Sequence, residues 1–416
     1  MRNFWSESRG RGSLGLVCAR SWLLVALTFS GAMSSVAQEP ALEAAPVALA
    51  LEARGAALAQ AVELERLRAD LSALAAPEME GRRSGEGMAR ARAFLVERFR
   101  ALGLKPAGAG ESYAQPIPMA SGEGFEGENL LALLEGRDDA LRAEVIVLSA
   151  HYDHLGRQGE AIFRGADDNA SGVAVMLELA RLFSREGARP RRSILFAAFD
   201  AEERGLLGSK YFVHAPTIPL EKIALDLNLD MLGRRMLDLV EGAVFAQGWE
   251  HSVELVELVR AAGAQEKLRV HFVATDVTGA RSDFAPFLWS GKPALFLSSS
   301  EHPDYHRPSD VPERIQWEEL HARARLAARV LSALVEADAA PSFRDAAPHP
   351  VELETLRDLV DALLPHAEKL GLGRAEEFGL RALRARAALL LEKGGYDAAT
   401  RESLMKVVRR AMSALR

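Results

Sequence analysis

Five short segments of this chain bring histidine and carboxylate side chains together. They are Ala150-His151-Tyr152-Asp153-His154-Leu155-Gly156, Gly165-Ala166-Asp167-Asp168-Asn169-Ala170-Ser171-Gly172, Phe199-Asp200-Ala201-Glu202-Glu203-Arg204-Gly205, Asn228-Leu229-Asp230-Met231-Leu232-Gly233 and His302-Pro303-Asp304-Tyr305-His306-Arg307-Pro308-Ser309-Asp310. In the first, His151 can offer a ring nitrogen to a metal, and Asp153, two residues on, can accept the other ring N–H and fix the tautomer. In the second, two adjacent aspartates stand among small residues that let backbone and carboxylate approach an ion closely. In the third, Glu202 and Glu203 repel each other; facing a crevice, one can bind metal while the other handles a proton.

Each segment alone has a plainer reading: a hydrogen-bonded loop histidine, a helix cap, a solvated acidic pair. One ligand from each gives an inventory of two histidines and three carboxylates with no cysteine, a set that suits one or two zinc ions with open positions. Two metals bridged by one carboxylate would activate a water and polarise a carbonyl.

The elements that must position these residues are readable from apolar pattern. Residues 145–148, 193–199 and 293–297 are continuous apolar runs of the kind found in buried strands. Residues 223–229 alternate into Asp230, and 268–273 is a further strand. Helical patterns cover 171–183, 202–212, 282–289 and 318–337. This alternation predicts an α/β fold with a mainly parallel central sheet flanked by helices. Four of the five segments then follow strands and the other opens a helix, where open α/β sheets bind ligands. Upstream, a helical pattern runs to about residue 76, Gly81-Arg82-Arg83-Ser84-Gly85 reads as a loop, and 88–102 is an amphipathic helix closed by Gly103. Residues 106–127 read as loop or edge strand.

Composition bounds the rest. The chain has 416 residues, a formal charge of −7 with both signs well mixed, and a single cysteine, Cys18. No clustered basic face points to nucleic acid. Arg9, Arg11 and Arg20 precede an apolar run at 22–29, and Ser35-Val36-Ala37 fits a signal-peptidase site, so residues 1–37 are expected to be an export signal cleaved near Ala37. The mature protein would be periplasmic or secreted, without a thiol and without stable membrane insertion. Residues 38–80 form a helical lead-in, weakly ordered at 38–60. Residues 341–416, with a linker-like stretch holding Pro348 and Pro350 near their start, read as a helical appendage without a chemical motif.

The segments AHYDHLG, GADDNASG, FDAEERGLLGS, NLDMLGR and HPDYHRPSD, in this order, resemble peptidase family M28, the co-catalytic zinc exopeptidases with a phosphorylase/hydrolase-like α/β fold. The resemblance covers 81–338 and implies a metallo-aminopeptidase with two zinc ions acting on peptides with a free N-terminus. It implies that His151 and Asp230 bind one zinc, that Glu203 and His306 bind the other, and that Asp168 bridges them. Glu202 would be the general acid/base, Asp153 would orient His151, and Tyr305 would help polarise the scissile carbonyl. Arg281, before Ser282-Asp283, would match an arginine that holds a substrate carboxylate in some members. Phe284 and Ser300-Glu301 depart from the histidine and the Thr-Gly common in relatives, both near the expected substrate pocket. A single-zinc glutaminyl-cyclase-type transferase, a carboxypeptidase or amidohydrolase of the same family, and a non-catalytic binding protein are the alternatives; retention of every metal position argues against the last.

Overall fold

The computed structural model describes residues 47–119, 121 and 124–414. The expected export signal, its cleavage point and Cys18 lie outside the described residues. Among those described, no helix is long and apolar enough to cross a membrane.

The helices are α1 (Val47–Gln60), α2 (Leu64–Leu74), α3 (Gly85–Ala101), α4 (Gly172–Phe183), α5 (Leu207–His214), α6 (Leu255–Gln265), α7 (Thr275–Thr278), α8 (Ala285–Trp289), α9 (Trp317–Glu336), α10 (Pro350–Leu363), α11 (Arg374–Glu392) and α12 (Ala398–Ala414). The strands are β1 (Lys105–Pro106), β2 (Ala114–Pro118), β3 (Phe125–Leu134), β4 (Val145–His151), β5 (Gly156–Gln158), β6 (Ala161–Phe163), β7 (Ser193–Phe199), β8 (Ile223–Leu229), β9 (Ala243–Gln247), β10 (Arg269–Phe272) and β11 (Ala294–Ser298). One nine-stranded sheet has the order β1-β3-β7-β4-β8-β11-β9-β10, with β2 also paired to β3; β5 and β6 form a separate hairpin.

The middle of the sheet is parallel: β7, β4, β8 and β11 run together. Antiparallel joins flank it, β3 to β7 on one side and β9 to β11 on the other. All seven residues of β4 and all seven of β7 are buried, because helices cover both faces of a parallel sheet and leave no solvated side to demand alternation. Ser149, inside β4, is satisfied by donating to Asp226 of β8 at 2.7 Å, and the groups that reach the crevice stand at the strand ends. There His151, Asp200 and Asp230 emerge together, since parallel strands bring their carboxyl ends to one edge.

Several expectations are adjusted. Residues 47–60 are helical and α1 packs along α9. The 202–212 pattern is broken into a short 3₁₀ turn at Glu202–Arg204 and α5, because Gly205 and Leu206 both adopt positive φ, 94° and 61°. β3, β9 and α6 have no counterpart in the sequence reading. Pro350, taken as linker, is the first residue of α10, where its missing N–H costs nothing; His349 caps that helix, accepting from Val351 N at 3.2 Å.

Helices α10–α12 enclose their own apolar cluster, including Leu353, Val360, Leu383 and Leu404. They are joined to the sheet where Leu363 packs with Val240 and Phe245 and where Phe272 N donates to Thr355 Oγ1 at 2.9 Å.

Candidate metal centre

His151 is the last residue of β4 and is 1% exposed. Its Nε2 lies 3.2 Å from Asp168 Oδ1 and 3.3 Å from Asp230 Oδ1. Its Nδ1 hydrogen-bonds the backbone carbonyl of Asp153 at 3.2 Å, with the Asp153 carboxylate 3.5 Å away. That carboxylate accepts instead from the backbone N–H groups of Glu202 and Glu203, at 3.0 and 3.3 Å. Asp153 thus ties the end of β4 to the turn after β7.

Asp168 lies in the turn at 166–171 that leads into α4 and that two groups hold. The Asp310 carboxylate accepts from Asp167 N and Asp168 N at 3.0 to 3.1 Å. Arg82, fully buried, donates to the carbonyls of Tyr152, Arg164 and Gly165 at 2.8, 2.6 and 2.8 Å. Burial pushes the Arg82 guanidinium down to about 10, against the pull of Asp168 and Asp310. The Asp168–Asn169 peptide is cis. The neighbour Asp167 faces away: its carboxylate accepts from Gly233 N at 2.5 Å and lies 3.4 Å from His302 Nε2. Burial raises both Asp167 and Asp310 to about 6.

The second oxygen of Asp168 points the other way. Oδ2 is 3.2 Å from His306 Nε2, and that nitrogen is 3.1 Å from Glu203 Oε2. His154 approaches the same place, its Nδ1 2.8 Å from Glu203 Oε1 and 3.6 Å from Asp168 Oδ2. Two groups could each hold an ion: His151, Asp168 and Asp230, and His154, Asp168 and Glu203, with Asp168 common to both.

Polar satisfaction and charge fit a cation. Asp168 Oδ2 and Glu203 Oε1 are buried without a hydrogen-bond donor among the described residues, a costly state for carboxylate oxygens unless something positive completes them. Burial, then Asp283, Asp230 and Glu203, raise Glu202 well above the carboxylate range. Burial works to lower His151, but Asp230 and Glu202 hold it well above its usual value. His306 is likewise carried up to about 10, its burial outweighed by the Asp168 and Glu203 carboxylates that face it. Both histidines are pulled towards their protonated forms, as happens where carboxylates outnumber positive charges. A bound cation would remove that imbalance, with the imidazoles as neutral ligands.

The remaining expected residues line the opening. Glu202 shares a cavity with Asp168, Asp230, Arg281 and Tyr305. Tyr305 stacks on His306, with ring centroids 3.9 Å apart. Arg281 pairs with Glu301, Nη1 to Oε1, at 2.6 Å. Phe284 is fully buried and stacked on Phe296 at 5.0 Å, part of the core.

Four contributors were not singled out by sequence: His154, Ser282, Arg82 and Asp310. Ser282 Oγ donates to Asp230 Oδ2 at 2.7 Å. His154 and Asp310 stand inside the quoted segments, and that adjacency was their only signal; Arg82 read as ordinary loop.

Residues 129–331 match peptidase family M28. Aminopeptidase YwaD of Bacillus subtilis is 32% identical over 208 residues, 47% of this chain and 41% of the relative. A probable zinc metalloprotease of Leptosphaeria maculans is 26% identical over 234 residues, 48% of this chain and 53% of the relative. The chain thus spans about half the length of these curated relatives. The crystal structure of LapB from Legionella pneumophila has a TM-score of 0.55 at 20% identity, covering 71% of this chain and 81% of that one; at that identity the likeness is one of fold.

Proposed function

We propose that this protein, whose residues 129–331 match peptidase family M28, is a two-zinc exopeptidase that removes N-terminal residues from peptides. The observation that carries the reading is Asp168, with one carboxylate oxygen facing His151 and Asp230 and the other facing Glu203 and His306. In this reading His151 and Asp230 would hold one zinc, Glu203 and His306 the other, and Asp168 would serve both. When bound, the ions would supply Lewis acidity and lower the pKa of a water.

The chain's own residues do the rest. Glu202, raised by burial and by neighbouring carboxylates, accepts the water's proton and passes it to the leaving amine. Asp153 keeps the Glu202–Glu203 turn against the end of β4, so acid/base and ligand move as one unit. Tyr305, whose hydroxyl burial pushes well above its usual value, stays protonated and can donate to the developing oxyanion. The substrate's free amino group is attracted to the carboxylates.

Arg281 would favour a carboxypeptidase if it were free to clamp a substrate carboxylate, but it is paired with Glu301, which supports the N-terminal reading. A single-zinc cyclase needs only one ligand group, and two are assembled around Asp168. The pattern of residues 1–37 supports export and cleavage near Ala37, with residues 81–338 as the peptidase unit and 341–416 as an appended helical unit. Adding zinc stepwise to chelator-treated protein tests the stoichiometry. Activity on an aminoacyl-nitroanilide should rise until about two equivalents are bound. Full activity at one tightly bound zinc would favour the cyclase-like site.

A further inference from the structure

A cavity of about 300 Å³ opens from the metal-ligand cluster and runs beneath the C-terminal helices. Asp168, Glu202 and Asp230 stand at one end. Beyond them the walls turn apolar, with Phe245 and Phe272 on the sheet side and Leu356, Val360, Leu383 and Met405 on α10, α11 and α12. About a third of the enclosure thus comes from helices that lie beyond the family-matched segment 129–331.

These helices are fastened, not loosely apposed. The Arg401 guanidinium donates to both oxygens of Asp276, at 2.8 and 2.9 Å, and to Glu352 Oε2 at 2.9 Å. Glu352 is 4% exposed. The clamp joins α12 to α10 and to α7, beside the cavity. Protein interiors tolerate few voids larger than a water, and an unfilled apolar cavity destabilises a fold in proportion to its volume. This volume is about twice the ~150 Å³ of an apolar cavity that holds one benzene.

We infer that α10–α12 complete a specificity chamber that takes the side chain of the substrate's N-terminal residue when that side chain is apolar and longer than leucine's, on the scale of six to eight carbons. The inference rests on the exopeptidase reading for what enters the chamber, but not for the chamber's preference for apolar chains. An amino group held at the carboxylate end would point its carbon chain down the apolar walls.

The test uses the full chain and two readouts. The first is calorimetric binding of n-butylamine, n-hexylamine and n-octylamine to zinc-loaded and zinc-free protein. Affinity should rise by about fourfold per methylene, the equivalent of ~0.8 kcal/mol. Val360→Phe, which fills the chamber, should cut the octyl-over-butyl preference from about a hundredfold or more to below about tenfold. Leu383→Phe makes the same test from α11 should the first variant not fold. The second readout is kcat/KM on alanyl-, leucyl- and 2-aminodecanoyl-nitroanilides. The inference predicts the order 2-aminodecanoyl, leucyl, alanyl, with the ratio of the 2-aminodecanoyl to the alanyl value falling in Val360→Phe. Equal affinity for the three amines overturns the chamber whatever the peptidase assay shows, and so does a length preference that both variants leave intact. Length-dependent amine binding without cleavage of any nitroanilide upholds the chamber and rejects the exopeptidase reading.

Discussion

At the residue scale, Glu202 and Glu203 are adjacent and alike in sequence, yet their surroundings differ. Glu203 lies against His154 and His306, its Oε1 and Oε2 at 2.8 and 3.1 Å from their ring nitrogens, and His306 and Asp168 rest on the same spot. Glu202 lines the cavity, and burial with like charges raises it. The short 3₁₀ turn, entered through Ala201 at φ 59°, sends the two side chains to different partners, and Asp153 fixes both through their backbone N–H groups. Glu202→Gln keeps shape and some hydrogen bonding but removes the basic oxygen. It should bind about as much zinc as the parent while kcat falls on the order of 10²–10⁴-fold. Glu203→Gln should weaken one zinc, with partial rescue by added metal. Elemental analysis beside steady-state kinetics reads both. Metal loss in Glu202→Gln with retention in Glu203→Gln would exchange their roles.

At the element scale, the site depends on loops held in unusual conformations at the ends of regular strands. Gly165 has φ 56°, and a Cβ there would fall 2.2 Å from Asp168 O and 2.5 Å from the His154 ring. Gly165→Ala therefore has to move the loop that presents Asp168. A loss of about 1–3 kcal/mol, read by denaturant unfolding, should come with weakened zinc affinity; a variant with parental stability and metal content would show that the loop is less constrained than its geometry requires. Parts of this architecture are readable from sequence and parts are not. The strands β4 and β7 announce themselves because burial on both faces leaves apolar runs that end at His151 and Asp200, and β8 does so by alternation into Asp230. β3 is hidden because Phe125-Glu126-Gly127-Glu128-Asn129 is polar and glycine-bearing, and pairing with β2 on one side and β7 on the other makes it a strand. β9 is five residues long and lies beside β10 and β11 only through tertiary contacts. His154 escaped because nothing local says that its ring turns towards Glu203, 49 residues downstream. Arg82 escaped because its four carbonyl acceptors belong to three separate segments.

At the scale of the whole molecule, the proposed metal ligands all precede residue 307, whereas the cavity wall extends to Val408. Metal binding and substrate selection are then separable. A chain ending at Ala340 should retain zinc, yet it exposes Phe245 and Phe272 and forfeits contacts such as Leu363 with Val240. Burying one such side chain is worth about 1.5–3 kcal/mol, so thermal unfolding should begin several degrees lower and preference for long apolar N-terminal residues should vanish. A folded but zinc-free truncation would make α10–α12 part of the metal centre. The central claim, that the bridged site acts at a free N-terminus, is tested most directly with one peptide sequence in three forms: unmodified, N-acetylated and C-amidated. Incubated with zinc-loaded protein and followed by mass spectrometry, the unmodified and amidated peptides should lose residues from the N-terminus one at a time, the acetylated peptide should stay intact, and chelator should stop the reaction. Release from the C-terminus, or trimming of the acetylated peptide, would contradict the account.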